Sequence, residues 1–202
     1  MRLIVNPALP YGKWVDKAVG ILAEGGTLLC PTDTGYGIVC MADNCTAINN
    51  VRSIKELEPQ RYLTLIFPDL KDISEYAQIS DPSYRIMKRV LPGPYTFILK
   101  ATKKVPKIFN SNQKTVGVRV PDYYICNTLV STLERPLVNT SFPQNKDELW
   151  TDPVVIEKGM NEKINLIIDV GILSINPSTI IDLSIHPPEL VRQGQADASW
   201  IL

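Results

Sequence analysis

Short apolar runs rich in β-branched residues recur along the chain, at Leu3–Val5, Thr27–Cys30, Gly37–Ala42, Leu63–Phe67, Tyr95–Ala101, Val116–Val120, Leu137–Thr140, Asn165–Val170, Thr179–Leu183 and Glu189–Arg192. Their length and flanking turn formers are those of buried or half-buried strands. Stretches of helical period lie between some of them. Over Lys13–Glu24, Trp14, Val15, Ala18, Val19 and Leu22 form one apolar face. Asp81 before Pro82 reads as an N-cap with proline in the first turn of a helix running to about Leu91. Asp122 before Tyr123 and Asp152 before Pro153 repeat that start signal. Tyr95–Ala101 and Val116–Val120, however, follow one another with no helical stretch between, which argues against a purely parallel doubly wound sheet. The expected fold is therefore α/β, with a large twisted mixed sheet flanked by helices.

At 202 residues and 45% hydrophobic content the chain can bury one substantial core, and no linker or repeat divides it. A single domain over 1–202 is expected. Lys plus Arg and Asp plus Glu balance at 21 each, so the chain has no net field to draw in polyanions, and an RNA partner would need a local basic patch. The four cysteines, Cys30, Cys40, Cys45 and Cys126, form no CxxC pair and read as free core thiols of a reducing compartment. No run approaches the roughly 20 apolar residues of a membrane span, and no export signal opens the sequence. A cytoplasmic protein with no membrane partner is expected.

The segment PTDTGYGI, Pro31–Ile38, packs hydroxyls, a carboxylate and two glycines behind the run Thr27–Cys30. Proline has no N–H to donate, so Pro31 is expected to end the strand ladder and open a turn. Gly35 and Gly37 permit positive φ or close approach of a ligand, while Thr32, Asp33 and Thr34 offer hydrogen bonds. A polar small molecule could dock there. The competing reading is a turn whose Thr and Asp side chains satisfy their own backbone.

Further segments repeat the grammar of a strand end beside small polar or cationic residues. In TVGVRVP, Thr115 and Arg119 are four apart and share one face of a strand, with Val116, Val118 and Val120 on the other. An exposed face carrying a solvated arginine fits the same pattern. PLVNTS ends a strand at Ser141, INPSTIID places Ser178 and Thr179 at a strand entrance, and LVRQG sets Arg192 before Gly194. IKELEPQRYLTLIF carries Lys55 and Arg61 about an acidic loop, a pattern plain surface charge also produces. No GxxxxGKS or GxxxxGKT phosphate loop and no GxGxxG is present, and the single His186, beside Pro187 and Pro188, reads as a loop residue rather than a zinc ligand.

Taken in order, PTDTGYGI, PGPYTFIL (Pro92–Leu99), TVGVRVP, PLVNTS, PSTIIDL and LVRQG resemble the YrdC family, and the spacing after Lys55 and the YTFILK wording are similar to its YciO branch. The resemblance implies a YrdC/RibB-like sheet enclosing a concave cationic cavity. It implies synthesis of threonylcarbamoyl-adenylate from L-threonine, bicarbonate and ATP with release of pyrophosphate, toward the threonylcarbamoyl modification of tRNA. By motif position, Thr34, Arg119 and Ser178 would hold threonine. Lys55, Arg61, Thr115, Ser141 and Arg192 would face ATP, with Lys55 and Arg119 in the catalytic role. Mg²⁺ would accompany the nucleotide.

Two signature positions depart from the family pattern. Glu56 and Leu57 follow Lys55 where KxR is usual, and Phe142 and Pro143 follow Ser141 where SxN is usual; Ile66 replaces a histidine. Arg61 and Asn145 are the candidates to compensate. Loss of one phosphate-directed donor from a preorganised site costs about 2 to 4 kcal/mol of transition-state stabilisation, so weak synthase activity is one expectation. The alternatives are a protein binding tRNA or double-stranded RNA and a catalytically impaired nucleotide-binding paralogue.

Overall fold

The computed structural model describes residues 1–9, 12–54, 63–106, 114–141, 151–159 and 163–201. The strands of these residues join one sheet, in the spatial order β1 (Arg2–Ile4), β9 (Leu166–Asp169), β2 (Leu28–Thr32), β3 (Gly35–Met41), β8 (Leu137–Ser141), β4 (Thr64–Ile66), β7 (Thr115–Arg119), β6 (Tyr95–Ala101), β10 (Thr179–Asp182) and β11 (Glu189–Arg192). A short β5 (Ala77–Gln78) pairs with the far end of β6. The pairs β1/β9, β9/β2, β4/β7 and β6/β10 are parallel and the others antiparallel, so the sheet is mixed as the strand-turn-strand step predicted.

Helices pack on both faces. On the first, Ala18 and Leu22 of α1 (Lys13–Ala23) and Ile125, Cys126 and Leu129 of α5 (Tyr124–Leu133) bury Leu28, Cys30, Val39, Met41, Ile66 and Leu137. The period-two alternation sends Leu29, Ile38, Cys40, Leu65, Val118 and Val138 to the second face. There they meet Ile48 and Val51 of α2 (Cys45–Ile54) and Met87 of α4 (Asp81–Val90). Two shorter helices, α3 (Leu70–Ile73) and α6 (Pro153–Gly159), complete the layers. Leu22 is fully buried, and truncation of such a side chain to alanine costs roughly 2 to 5 kcal/mol. Among the described residues no helix is long and apolar enough to cross a membrane.

Several local expectations are corrected. Pro31 does not end the ladder: β2 continues through it, pairing Pro31 with Tyr36 and Thr32 with Gly35. Pairing of β2 to β9 stops at Leu29, so beyond that point β2 has a partner on one side only, where proline is tolerated. The N-cap of α4 is Ser80, whose side chain accepts from the Ser83 N–H at 3.3 Å, and Asp81 is the first helical residue. Asp122 does not cap α5; its N–H is drawn away to the Asp33 carboxylate at 3.1 Å. Asp152 does cap α6, accepting from the Val154 N–H at 2.8 Å. Cys45 is exposed at the start of α2, whereas Cys30, Cys40 and Cys126 are buried.

Candidate active site

The β2–β3 hairpin turns on Gly35, whose φ of +104° lies in the left-handed region that favours glycine. Thr32 satisfies the turn itself, its hydroxyl donating to the Gly35 carbonyl at 2.7 Å and accepting from the Thr34 N–H at 3.2 Å. For Thr32 the self-satisfied turn is thus the correct reading. Asp33 and Thr34 instead reach across the sheet. Arg119 donates from Nη1 to Thr34 Oγ1 at 2.9 Å and from Nη2 to Asp33 Oδ1 at 2.5 Å. The side chains of Arg119 and Asp33 are only 5% and 9% exposed, which rules out the solvated arginine. Burial pulls the guanidinium down from its ordinary value and the Asp33 charge offsets part of that effect. Arg119 Nε is buried and has no partner among the described residues.

A second group adjoins the first. Ser178 lies just before β10, its hydroxyl 2.8 Å from that of Thr96 on β6. Arg192, at the end of β11, donates to the Ser178 carbonyl at 2.8 and 3.1 Å and to its hydroxyl at 3.2 Å. Gly194 makes this approach possible, since a Cβ there would come within 2.2 Å of the Pro177 carbonyl oxygen and 2.5 Å of the Thr179 nitrogen. The Arg192 pKa is lowered by desolvation and then by the positive charge of Arg119, which marks two like charges held near one another. Gln195 ties the groups together, donating to the Asp33 carbonyl at 2.9 Å. Paired cations over hydroxyls are an arrangement for anions.

Register extends this surface. The face that α1 and α5 cover at Leu137 and Ile66 turns polar two residues along β8 and β4, where Thr64 lies opposite both Asn139 and Gly117. Glycines keep it low: a Cβ on Gly117 would sit 3.3 Å from Thr64 Oγ1 and 3.6 Å from Thr96 Cγ2. Thr115, at the start of β7, and Ser141, opposite Gly37, share that face. The structure thus pairs Arg119 with Thr34 and Arg192 with Ser178, links the pairs through Gln195, and sets Thr115 at the other end of β7 and Ser141 at the end of β8. Lys55, Arg61 and Asn145 lie outside the described residues. A separate groove of about 850 Å³, lined in part by Phe67, Tyr76, Lys104, Glu134 and Arg135, contains none of these groups.

Sequence reading left Asp33 between a ligand contact and its own turn, and it did not single out Asn139, Thr96 or Gln195. Only pairing across the sheet reveals them. The one local signal for Asp33 was its place beside Thr34, which the family resemblance sets with Arg119 at the amino acid.

The Sua5/YciO/YrdC family model, described as Telomere recombination, matches residues 20–194. The chain is 35% identical to the Escherichia coli protein YciO over 200 residues, covering 98% of this chain and 97% of that protein. The crystal structure of E. coli YciO superposes with a TM-score of 0.94 over 100% of this chain and 99% of that one. A threonylcarbamoyl-AMP synthase of Vibrio vulnificus is 30% identical over 185 residues, 89% of this chain and 98% of that protein. Pyrococcus abyssi Sua5 complexed with L-threonine superposes with a TM-score of 0.87 at 28% identity, over 96% of this chain and 57% of that one. With a family model spanning most of its length and these relatives beside it, the chain belongs to the Sua5/YciO/YrdC family.

Proposed function

We propose that the protein forms a carbamoyl-adenylate from a small α-amino acid, L-threonine in the first instance, with bicarbonate and ATP, releasing pyrophosphate. The observation that carries this reading is the buried Arg119 cluster, which joins Thr34 and Asp33 on one side and lies near Arg192 and Ser178 on the other. A guanidinium grips a carboxylate through paired N–H donors, and a second cation beside it neutralises the nucleotide. The relatives named as threonylcarbamoyl-AMP synthases and the threonine-bound Pyrococcus protein support the choice of substrates.

The reaction asks for proximity more than for a protein nucleophile. The carbamate oxygen attacks the α-phosphate and pyrophosphate leaves, so two mutually repelling anions must be held in line. Arg119, Thr34 and Ser178 would position the amino acid. Arg192, Thr115 and Ser141, with Lys55 and Arg61, would orient the triphosphate. Among the described residues no three His, Cys, Asp or Glu side chains converge to hold a metal ion. ATP would therefore enter as its magnesium complex, with the ion's oxygen ligands drawn from phosphate and water. Leu57 stands where the signature has its arginine and Pro143 where it has its asparagine, which fits a slow enzyme. Purified protein supplied with labelled bicarbonate, L-threonine and ATP should yield labelled adenylate and pyrophosphate. Absence of both at high enzyme concentration would remove this reading.

A further inference from the structure

The groove of about 850 Å³ shares no residue with the Arg119 and Arg192 groups and has a different chemistry. Its volume is that of a small-molecule pocket. Tyr76, Pro68 and Pro106 give it a partly exposed apolar floor, and buried Phe67 backs the Tyr76 ring with centroids 5.4 Å apart. Five carboxylates line it, those of Asp43, Asp69, Asp72, Glu75 and Glu134, against the three cations Lys71, Lys104 and Arg135. Five against three leaves the described lining two negative charges in surplus, on a chain whose net charge is zero.

The chain itself shows what such a lining holds. Lys104 sets its ammonium 4.9 Å from the centroid of the Tyr76 ring and ion-pairs with Glu75, so ring face and carboxylate attract one cation together. Both side chains of this pair are more than half exposed, as are those of the Arg135–Asp43 pair. Pairs so open to water are weak and exchange readily. Glu134 ends α5 at φ +52°, where glycine is the easier residue, and adds a carboxylate to the groove. The carboxylates are spread rather than gathered, since among the described residues no three His, Cys, Asp or Glu side chains converge to hold a metal ion. A compact cation cannot serve charges distributed around an apolar floor. An elongated one can, with ammonium groups at the carboxylates and methylenes against Tyr76 and the prolines.

We propose that this groove binds a linear aliphatic polyamine, one of whose ammonium groups takes the place of the Lys104 ammonium over Tyr76 and beside Glu75. Asp72 and Glu134 meet the remaining charge.

Calorimetric titration of the full chain with spermidine in physiological salt should show one saturable site, and no binding would overturn the proposal. Hexaamminecobalt(III), equally charged but compact, should bind about tenfold more weakly; equal or tighter binding would reduce the effect to counterion attraction and sink the site. Lys104→Met clears the ring face and releases Glu75, so spermidine should bind about fivefold more tightly. Lys103→Met removes the same charge from an exposed position outside the groove and should leave the affinity unchanged. Equal effects of the two variants, or none from Lys104→Met, would refute displacement of that ammonium. Glu134→Gly should hold or raise the melting temperature while weakening spermidine about fivefold, and an unaltered affinity would count against the groove. Tetralysine binding more tightly than spermidine would assign the surface to a basic segment of a partner protein and overturn the polyamine. ATP and L-threonine are absent throughout, so failure here leaves the proposed reaction standing.

Discussion

Replacing Asp33 by alanine isolates the energetics on which the site depends. Arg119 and Asp33 are 5% and 9% exposed and 2.5 Å apart, and Asp33 also accepts from the Asp122 N–H at 3.1 Å. The substitution leaves a guanidinium in the interior with the Thr34 hydroxyl as its remaining side-chain partner among the described residues, and it strips an acceptor from the loop before α5. Breaking a buried pair by removing one member costs about 3 to 5 kcal/mol, because the survivor remains charged and desolvated. The exposed pair Arg135–Asp43, at 2.8 Å with side chains 64% and 58% exposed, is the internal control. Asp43→Ala should cost under about 1 kcal/mol. Urea unfolding reads both: the Asp33→Ala midpoint should fall by more than about 1 M, taking a slope of roughly 1 to 3 kcal/mol per M. The double variant Asp33→Ala with Arg119→Met should recover part of the loss, since the stranded charge is gone. An Asp33→Ala cost no larger than that of Asp43→Ala would refute the claim that this pair is desolvated.

Arg119→Lys keeps the charge but loses the planar fork, so threonine affinity by calorimetry should fall at least tenfold; unchanged affinity would place the carboxylate elsewhere. Gly194→Ala drives a Cβ into backbone atoms at 2.2 to 2.5 Å, and a loss of about 1 to 3 kcal/mol in thermal or urea unfolding is expected, with a neutral result contradicting the close packing against Ser178. Native protein treated with an aromatic disulfide reagent should react at Cys45 alone, the three buried thiols appearing only on unfolding. Burial lifts the Cys40 thiol to about 12, against about 8.5 in an unfolded chain. The folded state therefore holds this proton more tightly. Its contribution is fully present below pH ~8.5 and is lost as pH rises toward 12, by up to about 1.4 kcal/mol per pH unit. Cys40→Ala should flatten that fall in melting temperature, and an identical alkaline slope in both proteins would count against it.

Local pattern carried the strands and several helices because apolar period and turn chemistry are local properties. The Tyr95–Ala101 and Val116–Val120 runs pair antiparallel as their direct succession implied, and the apolar stripe of Lys13–Glu24 became α1. Helix α2 escaped notice because Asn49, Asn50 and Arg52 dilute Ala47, Ile48 and Val51. Pro31 was misread because tolerance of proline depends on whether a second strand flanks it, and β9 does so only as far as Leu29. Motif order brought Thr34, Arg119, Ser178 and Arg192 into one list, and contact distances pair Arg119 with Thr34 and Arg192 with Ser178, with Gln195 linking the second pair to Asp33. Asp33 and Asn139 depend on partners far away in sequence: the Asp33–Arg119 contact spans 86 positions. No window along the chain displays such a pairing.

The strand order has a consequence for the life of the chain. β9 inserts between β1 and β2, and β10 docks on β6, so the last third of the polypeptide completes both halves of the sheet. Ser178 and Arg192 belong to that last third. A nascent chain emerging from the ribosome can build the β2–β3 hairpin early but must wait for its C-terminal strands before it can neutralise an anion. Under the proposed function, ligand competence is thus among the final events of synthesis, and chains stopped short of β11 would lack Arg192.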